Sequence, residues 1–204
     1  LEANTTVNLV VMVGKNPGQS VLIDDFSLQT NDGGIIEGGN PEQPEEPGDA
    51  ILSETFANGF GVFTPQDITG TQAWYADTQY HYVKMSAYQQ GSTYDNEDWL
   101  VSPAVDLSKS RTLAFEQAFG PANKDMSNAA EIYTLWVSDN YSGDVATATW
   151  TQVAIEYPSE SGWTFVPTSV TLPATGKNAH FAFKYKNTAS DATLTWEIKN
   201  LTVK

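Results

Sequence analysis

Alternation of apolar and polar residues with a period of two is the clearest pattern in this chain. Phe115 and Phe119 fall on one side of one predicted strand, and Phe181, Phe183 and Tyr185 fall on one side of another. This period is typical of strands that bury one face. No stretch shows the longer period of an amphipathic helix, so the chain is expected to consist of strands and turns.

Nine strands are predicted in residues 51–204, with Gly, Pro, Asn and Asp concentrated between them. Their bounds are Leu52–Phe56, Tyr82–Ala87, Trp99–Ser102, Thr112–Phe119, Glu131–Ser138, Thr149–Glu156, Ser169–Leu172, His180–Lys186 and Leu194–Val203. Many short strands without helices are typical of packed antiparallel sheets. We therefore predict an all-β fold, an antiparallel β-sandwich of the jelly-roll type, for residues 51–204.

Residues 37–50 interrupt this pattern and are expected to form a linker. The segment EGGNPEQPEEPGDA contains three prolines, three glycines and five acidic residues. Charge repulsion and the Pro and Gly content disfavour a packed element there. The predicted organisation is therefore a short N-terminal piece at residues 1–36, an acidic linker at 37–50 and a complete module at 51–204.

Residues 1–36 are expected to be the C-terminal hairpin of a preceding, truncated β-sandwich domain. Two strands are predicted there, and the second contains Ile23–Leu28, which aligns with Ile198–Val203. This similarity is interpreted as an internal repeat, although any two amphipathic hairpins look alike. A hairpin of two strands is not stable alone. Residues 1–36 are therefore expected to pair with another chain or to dock on the main domain.

The charge of the chain excludes some classes of partner. Its 25 acidic and 10 basic residues give a formal net charge of −15. Such a chain repels phosphate backbones, so nucleic acid is not an expected partner. It lacks a basic amphipathic stretch and a long apolar run, so membrane insertion is not expected. There is no cysteine for a disulfide or a thiolate metal site. A secretion signal and an anchor are expected to lie outside this sequence.

The segment Asn96–Ser108, with the sequence NEDWLVSPAVDLS, carries the most specific pattern. It resembles the signature DWL-(S/T)-P-x-(I/V)-D-L of the cleaved-adhesin and choice-of-anchor J families. Four further segments are similar to these families in the same order. They are SETF at 53–56, LWVS with WTQV at 135–153, FAFKY at 181–185 and WEIKNLTV at 196–203. The resemblance covers most of residues 51–204.

This resemblance implies a β-sandwich module, galactose-binding-like in fold, from a secreted or surface protein, most often of Bacteroidetes. It implies no catalytic activity, and the chain has no nucleophile elbow, no H-E-x-x-H motif and no glycine-rich phosphate loop. The segment LIDDFSL at 22–28 also resembles the closing strand of carbohydrate-binding modules of families 4 and 9. Residues 1–36 are therefore expected to end a domain of that kind.

Structural calcium is the cofactor that the resemblance suggests. Related jelly-roll modules often hold Ca²⁺ between the opening strand, a nearby loop and the closing strand. Glu54 occupies the opening-strand position here, and Asn200 lies in the closing strand. Asp98 is a third candidate because carboxylate and amide oxygens bind Ca²⁺, although it could equally cap the turn before Trp99. Lys199, beside Asn200, weakens this expectation.

A glycan is an expected ligand because residues 72–96 are dense in aromatic and amide side chains. Aromatic rings pack on the apolar faces of sugars, and amides bind their hydroxyl groups. The candidate ligand-binding residues are Trp74, Tyr75, Tyr80, Tyr94 and Asn96. Packing in the core is the alternative, and it explains Trp74, Tyr82, Tyr88 and Trp99 better than binding does. Trp163 is a further candidate for an exposed aromatic residue.

The sequence therefore predicts a non-catalytic adhesion or glycan-binding module of a secreted or surface multidomain bacterial protein. Its expected partner is a glycan or a host or cell-surface protein. One alternative is an accessory carbohydrate-binding module of a polysaccharide-degrading enzyme whose catalytic domain lies outside this chain. Another is a structural spacer. An exposed aromatic platform would favour binding over the spacer role.

Overall fold

The computed structural model of this chain describes residues 50–204. Contacts divide the chain into two units with a boundary between Glu46 and Pro47, and every described residue belongs to the second unit. The predictions for residues 1–36 lie outside the described residues. These include the truncated domain, the repeat and the pairing with another chain. The linker predicted at 37–50 lies outside them as well, apart from its last residue.

The described residues form fourteen strands and one short helix. In chain order the strands are β1 Leu52–Glu54, β2 Thr64–Thr69, β3 Tyr75–Asp77, β4 Tyr82–Met85, β5 Tyr88–Gln89, β6 Ser92–Thr93, β7 Asn96–Val101, β8 Val105–Leu107, β9 Arg111–Gly120, β10 Tyr133–Ser138, β11 Thr151–Val153, β12 Gly162–Leu172, β13 Gly176–Asn187 and β14 Thr195–Val203. The helix, α1, covers Ala129–Ile132 and directly precedes β10. No helix in this part of the chain is long and apolar enough to span a membrane.

Within residues 50–204 the strands form two six-stranded antiparallel sheets and one small hairpin. Sheet I has the order β12-β9-β14-β4-β3, and β1 also pairs with β14. Sheet II has the order β11-β10-β13-β7-β2, and β8 also pairs with β13. The hairpin consists of β5 and β6. The prediction of an all-β antiparallel sandwich of jelly-roll type is confirmed.

The two sheets enclose one main core, as the alternation of apolar residues predicted. Phe115 and Phe119 on β9 and Phe181, Phe183 and Tyr185 on β13 are all buried in it. Phe115 and Phe183 meet across the sandwich at 5.1 Å between ring centroids. Each strand therefore buries one face and leaves the other free to carry polar groups.

A second aromatic cluster covers the outer face of sheet II. The indole of Trp99 lies 5.0 Å from the ring of Trp150 and 6.0 Å from that of Trp136. Lys184 lies over the same ring, with its ammonium 4.6 Å from the centroid. Trp99 is only 5% exposed, so its interpretation as a packing residue agrees with the structure.

The last two strands do not pair with each other, although two strands this close in sequence usually form a hairpin. β13 lies in sheet II between β10 and β7, whereas β14 lies in sheet I between β9 and β4. Hydrogen bonds at Leu194 hold the segment that connects β13 to β14. The Leu194 N–H donates to the Tyr133 hydroxyl, and the Tyr185 hydroxyl donates to the Leu194 carbonyl at 3.0 Å. Buried tyrosine hydroxyls thus satisfy a backbone that leaves one sheet for the other.

Candidate functional site

A groove lined by aromatic side chains lies on the outer face of sheet I. Tyr75 on β3, Tyr88 on β5 and Trp163 on β12 line it, and they are 56%, 59% and 54% exposed. The volume of the groove is about 530 Å³. Single exposed aromatic residues are ordinary, but several around one depression mark an interaction site. This groove is therefore the candidate functional site.

Alternation in two short strands places the groove residues on this face. Ala76 on β3 and Val83 and Met85 on β4 pack into or against the core, so Tyr75 and Lys84 point outward. Tyr75 and Lys84 are direct neighbours in the register of β3 and β4. The Lys84 ammonium lies 5.3 Å from the centroid of the Tyr75 ring. This cation–π contact positions the tyrosine ring while leaving most of it exposed.

A glycine allows the third aromatic ring to lie flat on the sheet. Gly120 ends β9 opposite Thr195 of β14. The indole of Trp163 lies directly against Gly120, where a Cβ atom would overlap the ring. The register of β12 is irregular between Gly162 and Val166. Such an irregularity re-aims side chains, and here it accompanies the placement of Trp163 over the neighbouring strand.

A second depression adjoins the first and extends the groove. Its volume is about 570 Å³, and Ser86, Tyr88 and Thr195 line both depressions. Gly120 and Pro121 line only the second one. Lys124 and Asp125 line the second depression as well, and the two depressions together form an open cleft longer than either alone. Such a cleft suits an elongated ligand.

Amide groups supply hydrogen-bonding capacity at the edge of the groove. The Gln72 side-chain amide donates to Gln89 Oε1 at 3.3 Å. The Oε1 atom of Gln72 is buried and has no partner within residues 50–204. With the Lys84 ammonium, the side-chain amides of Gln72 and Gln89 therefore place hydrogen-bonding groups beside the aromatic rings.

A row of charged groups runs beside the groove across β3, β4 and β14. Glu197 is only 5% exposed and lies opposite Lys84 in the sheet register. The Tyr82 hydroxyl faces the carboxylates of Glu197 and Asp77, and burial together with these charges raises the pKa of Tyr82 to about 12. Burial also raises the pKa of Glu197, against the opposing effects of Lys84, Tyr82 and Lys199.

The raised pKa of Glu197 predicts a pH-dependent cost to stability. In the unfolded chain this carboxyl loses its proton near its ordinary pKa of 4.5, and in the folded chain it does so at higher pH. Its contribution to stability is therefore fully present below the unfolded pKa of 4.5 and is lost as the pH rises from there through the folded pKa. We expect urea denaturation to show the wild type losing stability relative to Glu197→Gln over this window. Parallel pH profiles for the two proteins would contradict the prediction.

The structure separates the five predicted ligand-binding residues. Trp74 and Asn96 are 4% and 1% exposed, which removes both from a surface platform. For Trp74 this agrees with the packing alternative, and for Asn96 it corrects the assignment. Tyr75 lines the groove. Tyr80 and Tyr94 are 62% and 44% exposed, but neither lines the groove. The structure thus brings only Tyr75 of this set to the candidate site.

The sequence favours packing in the core for Tyr88, but the structure exposes it. It belongs to the hairpin β5–β6, which pairs with neither large sheet. The turn of this hairpin has positive φ values at Gln90 and Gly91, 49° and 94°. Two such residues are typical of a tight two-residue hairpin turn. Gly91 is therefore the sequence feature that could have indicated this hairpin. Lys84 carries no sequence signal, because its role depends on the register with Tyr75.

The three predicted metal ligands are not gathered at one place. The Glu54 carboxylate accepts hydrogen bonds from the backbone N–H groups of Phe56 and Val62, at 2.7 and 3.2 Å. Asn200 is exposed and donates to Glu116 at 2.8 Å. Both lie on sheet I, whereas Asp98 lies on β7 of sheet II. Residues 50–204 contain no group of three or more His, Cys, Asp or Glu side chains that could hold a metal ion.

Neither a protein-family model nor a curated protein matches this sequence. Solved structures match its fold. The K2 cleaved adhesin domain of Lys-gingipain has a TM-score of 0.55 and 15% identity, covering 75% of this chain and 98% of that domain. The K1 domain of Lys-gingipain from Porphyromonas gingivalis W83 has a TM-score of 0.52 and 20% identity, covering 75% and 96%. The K3 domain, also from P. gingivalis, has a TM-score of 0.52 and 17% identity, covering 76% and 96%.

In fold, this chain is similar to cleaved adhesin domains. The resemblance inferred from the DWL-x-S-P segment is thereby confirmed at the level of structure. The matched share of 75% corresponds in size to the described unit. At these identities the similarity establishes the fold, and a fold can host unrelated functions. The function therefore has to be argued from the groove.

Proposed function

We propose that residues 50–204 form a non-catalytic glycan-binding module with an adhesive role in a secreted or surface protein. The observation that carries this proposal is the groove lined by Tyr75, Tyr88 and Trp163. Aromatic rings offer flat apolar surfaces to the C–H faces of sugar rings. The amides of Gln72 and Gln89 can bind sugar hydroxyl groups. The open shape of the cleft suits several linked sugar units.

Charge narrows the class of glycan. The whole chain carries a net charge of −15, so a polyanionic glycan would meet long-range repulsion. In the groove itself Lys84 already contacts Tyr75 and lies opposite Glu197. Its positive charge is therefore partly balanced and is a weak attractor for acidic sugars. The expected ligand is a neutral oligosaccharide.

A glycan array probed with the full chain tests this proposal. Neutral oligosaccharides are expected to retain the wild type, and Tyr75→Ala and Trp163→Ala are each expected to weaken binding at least about tenfold, equal to ~1.4 kcal/mol. Both side chains are more than half exposed, so their removal leaves the core unchanged. Circular dichroism and the thermal midpoint of each variant check that the fold is retained.

Matched controls come from equally exposed tyrosines outside the groove. Tyr80→Ala and Tyr94→Ala remove comparable exposed aromatic area but leave the groove lining unchanged. They are expected to bind as the wild type does. Binding that depends on Tyr80 or Tyr94 but not on Tyr75 or Trp163 would move the site away from the groove. A complete absence of binding across plant, host and microbial glycans would favour a protein ligand or a spacer role.

A further inference from the structure

The two depressions of the cleft on sheet I differ in the chemistry of their walls. The first depression contains the Gln72 and Gln89 amides and the Lys84 ammonium among its aromatic rings. In the second, apolar atoms make up most of the exposed wall, and Pro121 and Leu194 contribute to it. The second depression is also the more enclosed of the two. A ligand that fills both must therefore present a polar body to the first and an apolar group to the second.

A buried serine holds one wall of the second depression in place. Ser161 is only 5% exposed. Its hydroxyl donates to the Pro121 carbonyl at 2.9 Å and accepts a hydrogen bond from the Lys124 backbone N–H at 2.7 Å. Pro121 and Lys124 both line the depression. Because one buried hydroxyl binds both ends of the segment between them, this wall is formed before a ligand arrives.

A second wall is fixed by the connection between β13 and β14, where Ala192 and Leu194 line the depression. The side-chain amide of Asn128 donates to the Ala192 carbonyl at 3.3 Å. The hydroxyls of Tyr133 and Tyr185 bind the backbone of Leu194. A depression whose walls are already held in place loses little freedom when a ligand enters, and this favours affinity.

Hydroxyl groups lie where the two depressions meet, because Ser86, Tyr88 and Thr195 line both of them. The Tyr88 backbone N–H donates to Ser86 Oγ at 3.3 Å, which leaves the proton of that hydroxyl for another acceptor. A serine or threonine hydroxyl can donate to a carbonyl oxygen and accept from an N–H group. The junction therefore suits an amide, which carries both of these groups.

The charges beside the second depression favour an uncharged group there. Lys124 and Asp125 both line it, and their formal charges cancel. The Asp125 carboxylate accepts hydrogen bonds from the Ser127 backbone N–H at 2.9 Å and from the Ser127 hydroxyl at 2.8 Å. These bonds lower the pKa of Asp125, so the carboxyl stays ionised and balances the lysine. An anionic or cationic substituent would therefore gain little net attraction here.

We propose that the second depression binds the acetamido group of an N-acetylated sugar. This inference rests on the proposed glycan-binding function of the groove and names the class of glycan. The acetamido group is neutral, and it joins an apolar methyl group to an amide N–H and carbonyl. The methyl group enters the apolar depression, and the amide lies at the junction beside the hydroxyls of Ser86 and Thr195. A sugar with a hydroxyl group in the same position would leave the apolar wall against water.

Isothermal titration of the full chain with paired ligands tests the inference. Chitotetraose and cellotetraose share a β-1,4-linked backbone and differ only in the substituent at C2. Glycosides of N-acetylgalactosamine and galactose form a second pair of this kind. In at least one pair the acetamido ligand is expected to bind about tenfold more tightly, equal to ~1.4 kcal/mol, because its methyl group leaves water. Equal binding within both pairs would overturn the inference and leave the proposed function standing. Binding of none of these ligands, and of no neutral glycan on the array, would overturn both.

Ala192→Phe tests whether the second depression causes the preference. Ala192 is exposed and lines the depression, so a phenylalanine ring there would fill it, and the affinity ratio within the pair is expected to fall to about one. Tyr75 lines only the first depression, so Tyr75→Ala is expected to weaken both ligands and keep the ratio. Ala189→Phe is the matched control, because Ala189 is exposed in the same connection and lines neither depression; it is expected to behave as the wild type. A ratio that Ala192→Phe leaves unchanged would overturn the inference. Circular dichroism checks the fold of each variant, and the paired titration of the wild type decides the question should Ala192→Phe fail to fold.

Discussion

Replacing Trp196 by alanine is expected to lower the free energy of unfolding by about 3–5 kcal/mol. Trp196 is fully buried on β14 in the middle of sheet I. Its ring lies 5.6 Å from that of Phe183 on the facing sheet and 6.0 Å from that of Phe119 on the neighbouring strand. Alanine would leave a large cavity between the two sheets. The cavity would close only partly, because backbone hydrogen bonds hold the strands of each sheet in place.

Urea denaturation of the full chain, monitored by circular dichroism, measures this loss. The matched control is Trp163→Ala, which removes the same side chain at a position that is 54% exposed. It is expected to cost about 1 kcal/mol or less, because little apolar surface leaves the core. Equal losses for the two variants would mean that Trp196 does not anchor the sandwich.

Replacing Gln117 by leucine is expected to cost about 2–4 kcal/mol, although the two side chains are similar in size. Gln117 is fully buried on β9. Its amide nitrogen donates to the Glu156 carbonyl and to the Thr168 hydroxyl, both at 2.8 Å. Its Oε1 atom accepts from the Trp196 indole at 3.0 Å. Leucine would leave the buried Thr168 hydroxyl and the buried Trp196 indole without this partner, and a buried unpaired group is expensive.

A double-mutant cycle isolates the bond between Gln117 and Trp196. Trp196→Phe removes the indole N–H while keeping an aromatic ring. The double variant is expected to lose about 1 kcal/mol less than the sum of the single variants. Gln152→Leu is the matched control, because Gln152 is exposed on β11, and it is expected to stay within about 0.5 kcal/mol of the wild type. Full additivity in the cycle would exclude a stabilising bond between the two side chains.

The long strands were predictable because each buries one face of an alternating sequence. All nine predicted segments overlap observed strands, and β7 ends at Val101, before Pro103, which has no N–H to donate. The strands β2 and β3 were missed because they carry little apolar signal. β2 contains Pro65 and lies at the edge of sheet II, and β3 has only three residues. Edge strands form because a neighbouring strand supplies backbone hydrogen bonds, and the local sequence does not encode that neighbour.

The partners of the strands were less predictable than the strands themselves. β13 and β14 follow each other in sequence with a short connection, which is the usual pattern of a hairpin. They nevertheless join different sheets. Alternation of apolar residues identifies the face that a strand buries. The alternation pattern is the same whether two consecutive strands pair with each other or join different sheets. The hydrogen bonds to Leu194 that accompany the crossing come from Tyr133 and Tyr185, the first of them 61 residues away.

The same limit applies to the candidate site. The sequence indicated correctly that the segment around Tyr75 is rich in residues suited to a glycan, and that Trp163 was a candidate for exposure. It favoured packing for Trp74, which is buried, but also for Tyr88, which is exposed, because the register decides which face is buried. It also did not indicate that Trp163 and Tyr75 line the same groove. These residues lie on strands at the two opposite edges of sheet I.

By itself, then, the sequence determined the fold class, the larger strands and the acidic character of the chain, because alternation and charge are properties of local segments. Only the tertiary structure decided which aromatic side chains line the groove on sheet I. It alone placed Asp67 opposite Asp98 and Asn96 opposite Asn187. The groove and these two pairs are built from strands far apart in sequence. Their geometry depends on pairing, and pairing is set by the packing of the whole sandwich.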